Sequence, residues 1–188
     1  MIEPSLWKSA VALHQYLTSI ERPFCFIGGL VVGRWGQPRT TADVDATMLT
    51  EFGQEADAAK EVLQRYQSRI DDPISFALQA RILLLQDIRN NRIDLSIGGL
   101  EFEHRIIERS TMWGIPGGGS IRTCSAEDLI VLKSFAARPQ DWIDVAQVII
   151  RQQDKLDRRL IREELQPLVE LKEEPEILTQ LDRLFEEN

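Results

Sequence analysis

Arg39-Thr40-Thr41-Ala42-Asp43-Val44-Asp45-Ala46-Thr47-Met48 alternates polar and apolar residues as a half-buried β-strand does. Its two acids stand one residue apart, so on a strand their carboxylates share one face of the sheet. Like charges at that spacing repel unless solvent separates them or a cation bridges them. Mg²⁺ commonly takes one or two carboxylates and completes its shell with substrate phosphates. The first reading is therefore a strand-end site for phosphate chemistry. The competing reading is a plain, solvent-facing strand edge.

Upstream, Phe24-Cys25-Phe26-Ile27 is a short apolar strand that stops at Gly28-Gly29, and Leu30–Trp35 then reads as a short helix closed by Gly36 and Pro38. Two glycines at a strand-to-helix junction let a polyanion approach the backbone, with helix N–H groups aimed at it. They are equally consistent with a simple turn. Downstream, strands at 82–85 and 92–97 flank the turn residues Asn90-Asn91 and are expected to pair as a hairpin. If Ile93, Leu95 and Ile97 face the core, Asp94 lies on the opposite face with Arg92 and Ser96, where an ordinary exposed acid is the alternative.

Helical spacing predicts elements at 5–20, with Ser5 as N-cap, at 54–69 and at 100–108. Gly117-Gly118-Gly119 lacks the preceding strand and following Lys-Ser/Thr of a P-loop and reads as a hairpin loop. Ser125-Ala126-Glu127-Asp128 has the spacing of a capping box and opens a helix through Ala137. Further helices are expected at 141–151, 157–171 and 175–186, the last with an apolar stripe of Ile177, Leu178, Leu181, Leu184 and Phe185. The expected fold class is α/β (α+β), a mixed sheet flanked by helices over 1–124. A C-terminal helical bundle over 125–188 is expected to pack on it.

With 188 residues, 43% hydrophobic and 28% charged, the chain is long enough for one domain with a real core. No apolar run spans a bilayer, and Met1–Ser5 lack the basic stretch and apolar core of a secretion signal. Two widely separated cysteines suggest neither a disulfide framework nor a zinc site. A cytoplasmic location is expected, with no membrane partner. The net charge of −8 argues against non-specific coating of nucleic acid. It leaves room for a local basic pocket drawn from Arg34, Arg39, Arg81, Arg92, Lys133 and Arg138. His14 and His104 have no triad-like partners, and the four tryptophans read as packing residues.

The order of these features carries more than any one of them. Gly28-Gly29 after an apolar strand, Asp43-Val44-Asp45 on the next, and a lone strand Asp94 together resemble the nucleotidyltransferase (DNA polymerase β-like) superfamily. The form Arg-x-Thr-x-Asp-x-Asp at 39–45 is more narrowly similar to the AbiEii/AbiGii toxin-type nucleotidyltransferases. So is Ser125–Lys133 followed by Arg138-Pro139-Gln140-Asp141-Trp142-Ile143-Asp144. The resemblance covers about residues 24–150 and leaves the last helices out.

The resemblance implies a Mg²⁺-dependent (or Mn²⁺-dependent) enzyme that moves an NMP from an NTP to a hydroxyl of a tRNA or protein. The setting it implies is a toxin–antitoxin or phage-defence pair, with a cognate antitoxin as partner. Asp43 and Asp45 would ligate two metal ions, and Asp94 would complete the ion near the attacking hydroxyl. Gly28 and Gly29 would hold the triphosphate. Arg39 would neutralise phosphate charge, or be a surface residue at the strand entrance. Thr41 would fix the loop through its hydroxyl, or merely suit a strand. Lys133 would reach the phosphates, or snorkel to solvent. Asp144 would orient Lys133 or pack the helices, and Asp141 is expected to be a helix cap. Many superfamily members carry Gly-Ser where this chain has Gly28-Gly29, so that serine contact is absent here. A different class of function is a non-catalytic nucleotide sensor or interaction module on the same fold. An exposed apolar stripe on 175–186 would favour a protein partner.

Overall fold

The structure, a computed structural model, describes residues 2–188; Met1 lies outside them. In chain order the elements are α1 (Pro4–Ser19), β1 (Phe24–Phe26), α2 (Gly28–Trp35), β2 (Asp43–Leu49), α3 (Glu55–Leu63), β3 (Gln67–Ser68), α4 (Pro73–Ala80), β4 (Ile82–Gln86) and β5 (Arg92–Gly98). There follow α5 (Glu101–Arg109), β6 (Thr111–Gly114), β7 (Ser120–Thr123), α6 (Ala126–Ala136), α7 (Pro139–Gln152), α8 (Arg158–Lys172) and α9 (Glu176–Glu187). The chain divides into two compact units. The first comprises the residues through Leu30 and Thr40–Cys124; the second comprises Val31–Arg39 and Ser125–Asn188. The division falls inside α2.

In the first unit, the strands form one mixed sheet in the order β3-β4-β5-β2-β1-β7-β6. β2 and β5 run parallel, in register from Asp43 opposite Arg92 to Leu49 opposite Gly98. Because side chains alternate, Val44, Ala46, Met48, Ile93, Leu95 and Ile97 all fall on one face, and all are buried. Leu6, Leu13 and Leu17 of α1 are buried too, and α1 lies against β2 and β7. The opposite face of β2 and β5 is left to the acids. The expected hairpins form: β4 with β5, and β6 with β7 around Gly117–Gly119, each of which has positive φ.

Two expectations about helices change. Ser5 is inside α1, which starts at Pro4 with Glu3 as N-cap, since proline's fixed φ suits the first helical position. The helix expected over 54–69 ends at Leu63. Gln67 and Ser68 instead pair with Gln86 and Leu85 as an added edge strand. Asp72 then caps α4, its Oδ1 accepting from the Ser75 N–H at 3.1 Å, with Pro73 at the first position.

The second unit is helical. Ser125 Oγ accepts from the Asp128 N–H at 3.0 Å, as the capping pattern anticipates. Its core joins Leu129 and Ile130 of α6, Val145 and Ile149 of α7, Ile161 and Leu165 of α8, and Ile177 and Leu181 of α9. The α9 stripe is thus spent inside the unit, against α6, α7 and α8. The exposed stripe that would have favoured a protein partner is not there. Among the described residues no helix is long and apolar enough to cross a membrane.

Candidate functional site

The β2–β5 register decides the geometry of the first unit's polar face. Asp45 lies directly beside Asp94, and Asp43 beside Arg92. Adjacent strands are about 4.8 Å apart, so three carboxylates share one face within two neighbouring strands. Asp43 Oδ1 is buried without a hydrogen-bond partner, and Arg92 Nη1 is 4.0 Å away. Asp94 is half-buried, and burial pushes its carboxyl above the usual range; the Arg69 guanidinium opposes that shift and the Asp43 charge adds to it. Arg69 Nη2 is ion-paired with Asp94 Oδ1.

Gly28 and Gly29 meet one of these carboxylates, that of Asp45. The Ile27 N–H donates to the Asp45 carbonyl at 3.0 Å, and the Gly29 N–H to Asp45 Oδ2 at 3.3 Å. Gly28 leaves β1 with φ +67°, and a Cβ there would lie 2.7 Å from Asp45 Cβ and nearer still to its carboxylate. Glycine is required on both counts. Gly28→Ala is expected to cost about 1–3 kcal/mol of stability from the left-handed backbone alone. It also pushes Asp45 out of place, so activity should fall further than stability does. Urea unfolding and a transfer assay on the same preparation check this.

Among the described residues no three His, Cys, Asp or Glu side chains form a ready-made metal cage. The donor set nonetheless fits a hard divalent cation. Its groups are all carboxylate oxygens, one of them is buried without a hydrogen-bond partner, and Mg²⁺ needs only one or two such groups when phosphates supply the rest.

The second unit holds its own charge cluster. Lys133 Nζ is 2.7 Å from Asp141 Oδ1 and 2.9 Å from Asp144 Oδ2, and all three residues are buried. Arg39 grips Asp144 through both carboxylate oxygens, at 2.7 and 2.8 Å, and Gln140 donates to the same group. Arg138 Nε reaches Asp141 Oδ2 at 2.5 Å. Burial pushes both aspartates up. Hydrogen bonds from Arg138 and Lys133 on Asp141, and from Arg39 and Lys133 on Asp144, outweigh it and hold both below the usual 3.8. Their folded values lie below the unfolded ones, so the stabilisation is present above that value and is lost as pH falls through the folded values. Urea midpoints should therefore drop steeply below about pH 4, and Asp144→Asn should flatten that acid limb.

Several expected positions come out differently. Asp141 is not a cap: Arg138 holds that position, and the Asp141 carboxylate turns to Lys133 and Arg138. Lys133 is enclosed by two aspartates and does not snorkel to solvent. Arg81 sits at the far end of β5 from Arg92, donating to the Ile97 carbonyl and pairing with Glu55, so the six cations do not all line one pocket. Thr41 is half-buried in the segment before β2. Arg69 was hidden within the expected 54–69 helix. The Asp72-Pro73 helix start, which forces a break upstream, was the signal that could have freed it.

Residues 12–183 match the family described as "Nucleotidyl transferase of unknown function (DUF2204)". No curated protein matches the chain. Among solved structures, an antigenic nucleotidyltransferase-like protein from Paracoccidioides brasiliensis is similar at a TM-score of 0.54 and 15% identity, over 94% of this chain and 92% of that one. The antibiotic-resistance factor ANT(2'')-Ia is similar in its solution structure at a TM-score of 0.52 and 15% identity, over 91% and 96%. Its complex with adenylyl-2''-tobramycin is similar at 0.52 and 14%, over 88% and 97%. At these identities the structural likeness speaks to fold, and it agrees with the mixed sheet flanked by helices. The family match spans nearly the whole sequence, and the chain belongs to this nucleotidyl transferase family.

Proposed function

We propose that the chain transfers an NMP from an NTP to a hydroxyl on a tRNA or protein, as an AbiEii-like member of a toxin–antitoxin or phage-defence pair. One observation carries this reading: the parallel register that sets Asp94 beside Asp45 on the face that also holds Asp43. In the reaction the acceptor oxygen bonds to the α-phosphorus, the bond to the β-phosphate oxygen breaks, and pyrophosphate and the hydroxyl proton leave. Asp43, Asp45 and Asp94 are the residues that would hold Mg²⁺ or Mn²⁺. Such ions, when bound, stabilise the attacking and leaving oxygens of an in-line displacement. Gly28 leaves the backbone open for the triphosphate, and the Gly29 N–H keeps the Asp45 carboxylate oriented. Asp94 would complete the ion near the attacking hydroxyl. Arg39 offers charge to phosphate, its guanidinium fixed by Asp144, which Lys133 holds in turn; Lys133 would be the second phosphate cation, and Thr41 steadies the loop.

A nucleotide sensor without transfer is the second reading, favoured by the cation that Asp94 already carries in Arg69. The discriminating experiment incubates the protein with each α-labelled NTP, Mg²⁺, and total tRNA or cell lysate, beside Asp45→Asn. Tobramycin, found adenylylated with ANT(2'')-Ia, serves as a third acceptor arm. Label in an acceptor that vanishes in the variant supports the enzyme. Nucleotide binding with no transfer in any arm supports the sensor.

A further inference from the structure

Arg69 is a cation on the acidic face to which the transfer reaction gives no role, and it sits on Asp94 itself. It follows the two-residue edge strand β3, and its backbone N–H is fixed to the Leu84 carbonyl at 2.9 Å. From there the side chain reaches across β4 to Asp94 on β5, placing Nη2 on Oδ1. Both side chains are largely covered, at 20% and 29% exposure, so solvent screens the pair only in part. Arg69 Nε is buried with no acceptor, and Asp43 Oδ1, on the same acidic face, is buried with no donor. The guanidinium is therefore well paired at one end only.

We propose that Arg69 is a built-in competitor of the divalent cation for Asp94, and that loading the site requires its side chain to swing away. The inference rests on the transfer reading, because it takes Asp94 to be a metal-holding carboxylate. Two cations cannot share one carboxylate oxygen at contact distance without strong repulsion. Arg69 can yield the carboxylate only by moving its side chain. The backbone bond to Leu84 lies at the root of a long side chain, which leaves that movement free. The unpaired Nε–H gives the departing guanidinium a reason to seek an anionic oxygen, and a nucleotide phosphate is the nearest chemical match. Arg69 is thus a positioning residue that ties metal loading to arrival of the nucleotide.

The test reads metal binding directly. Free Mn²⁺ is titrated by electron paramagnetic resonance at pH 8 for the natural chain, Arg69→Gln and Asp45→Asn. Arg69→Gln should bind Mn²⁺ on the order of tenfold more tightly than the natural chain, the size expected for removing one charge-assisted pair. Equal or weaker binding overturns the role of Arg69. If Asp45→Asn binds as well as the natural chain, the metal-site reading itself fails, which is a separate outcome. Should Arg69→Gln fail to fold, the natural chain supplies the answer. Its Arg69 Nε–H resonance, assigned by its loss in Arg69→Lys, should shift as Mg²⁺ is added. A resonance that stays in place at saturating Mg²⁺ also overturns the proposal.

Discussion

Asp45→Asn is expected to lower nucleotidyl transfer by about a thousandfold or more while leaving the fold intact. Asparagine keeps the shape of the side chain, and its oxygen can still accept the Gly29 N–H that now donates to Asp45 Oδ2 at 3.3 Å. What it removes is a negative charge between Gly28 and Asp94. A bound divalent ion stabilises a displacement by several kcal/mol, and roughly 4 kcal/mol corresponds to three decades in rate. Steady-state rates with whichever acceptor takes the label, beside thermal unfolding of both proteins, make the comparison. A variant that folds normally and retains more than about a tenth of the activity removes Asp45 from the chemistry.

Lys133→Met should destabilise the helical unit by about 3–5 kcal/mol, the cost of removing one partner from a buried ion pair. Lys133 stands between Asp141 and Asp144, at 2.7 and 2.9 Å, with all three side chains less than one-tenth exposed. Methionine fills similar volume, so packing changes little and the loss is electrostatic. Arg39 and Arg138 remain on the two carboxylates, but both are more exposed and better screened. Lys155→Met, at an exposed site, should stay within about 0.5 kcal/mol in the same urea experiment. A Lys133→Met loss below about 1 kcal/mol contradicts the network described here.

What could be read before the fold was known followed from local rules. The alternation around Asp43-Val44-Asp45, the glycine turn at 28–29, the hairpin at Asn90-Asn91 and the Ser125 cap each depend on residues within one element or turn. Asp94 was placed on the correct face because Ile93, Leu95 and Ile97 flank it with period two. Apart from the start of α1, where Pro4 rather than Ser5 sets the first turn, the misses depend on distant partners. Arg69 meets Asp94 only because Gln67 and Ser68 join the sheet edge, a pairing that no helical or strand period announces. Arg81 turns to the Ile97 carbonyl because it ends α4 with φ +51°. Lys133 and Asp141 face each other across two helices, so neither helix's own pattern could say whether the lysine meets solvent or a buried acid.

The central claim is that the carboxylate face drives attack at the α-phosphorus. It is tested most directly by following two labels from the same nucleotide. Parallel reactions with α-labelled and γ-labelled NTP are run with Mg²⁺ and the acceptor pool, for the natural chain and for Asp45→Asn. The α label should appear on the acceptor and the γ label in pyrophosphate, with neither appearing in the variant. A γ label on the acceptor, or α transfer that persists undiminished in Asp45→Asn, contradicts the account.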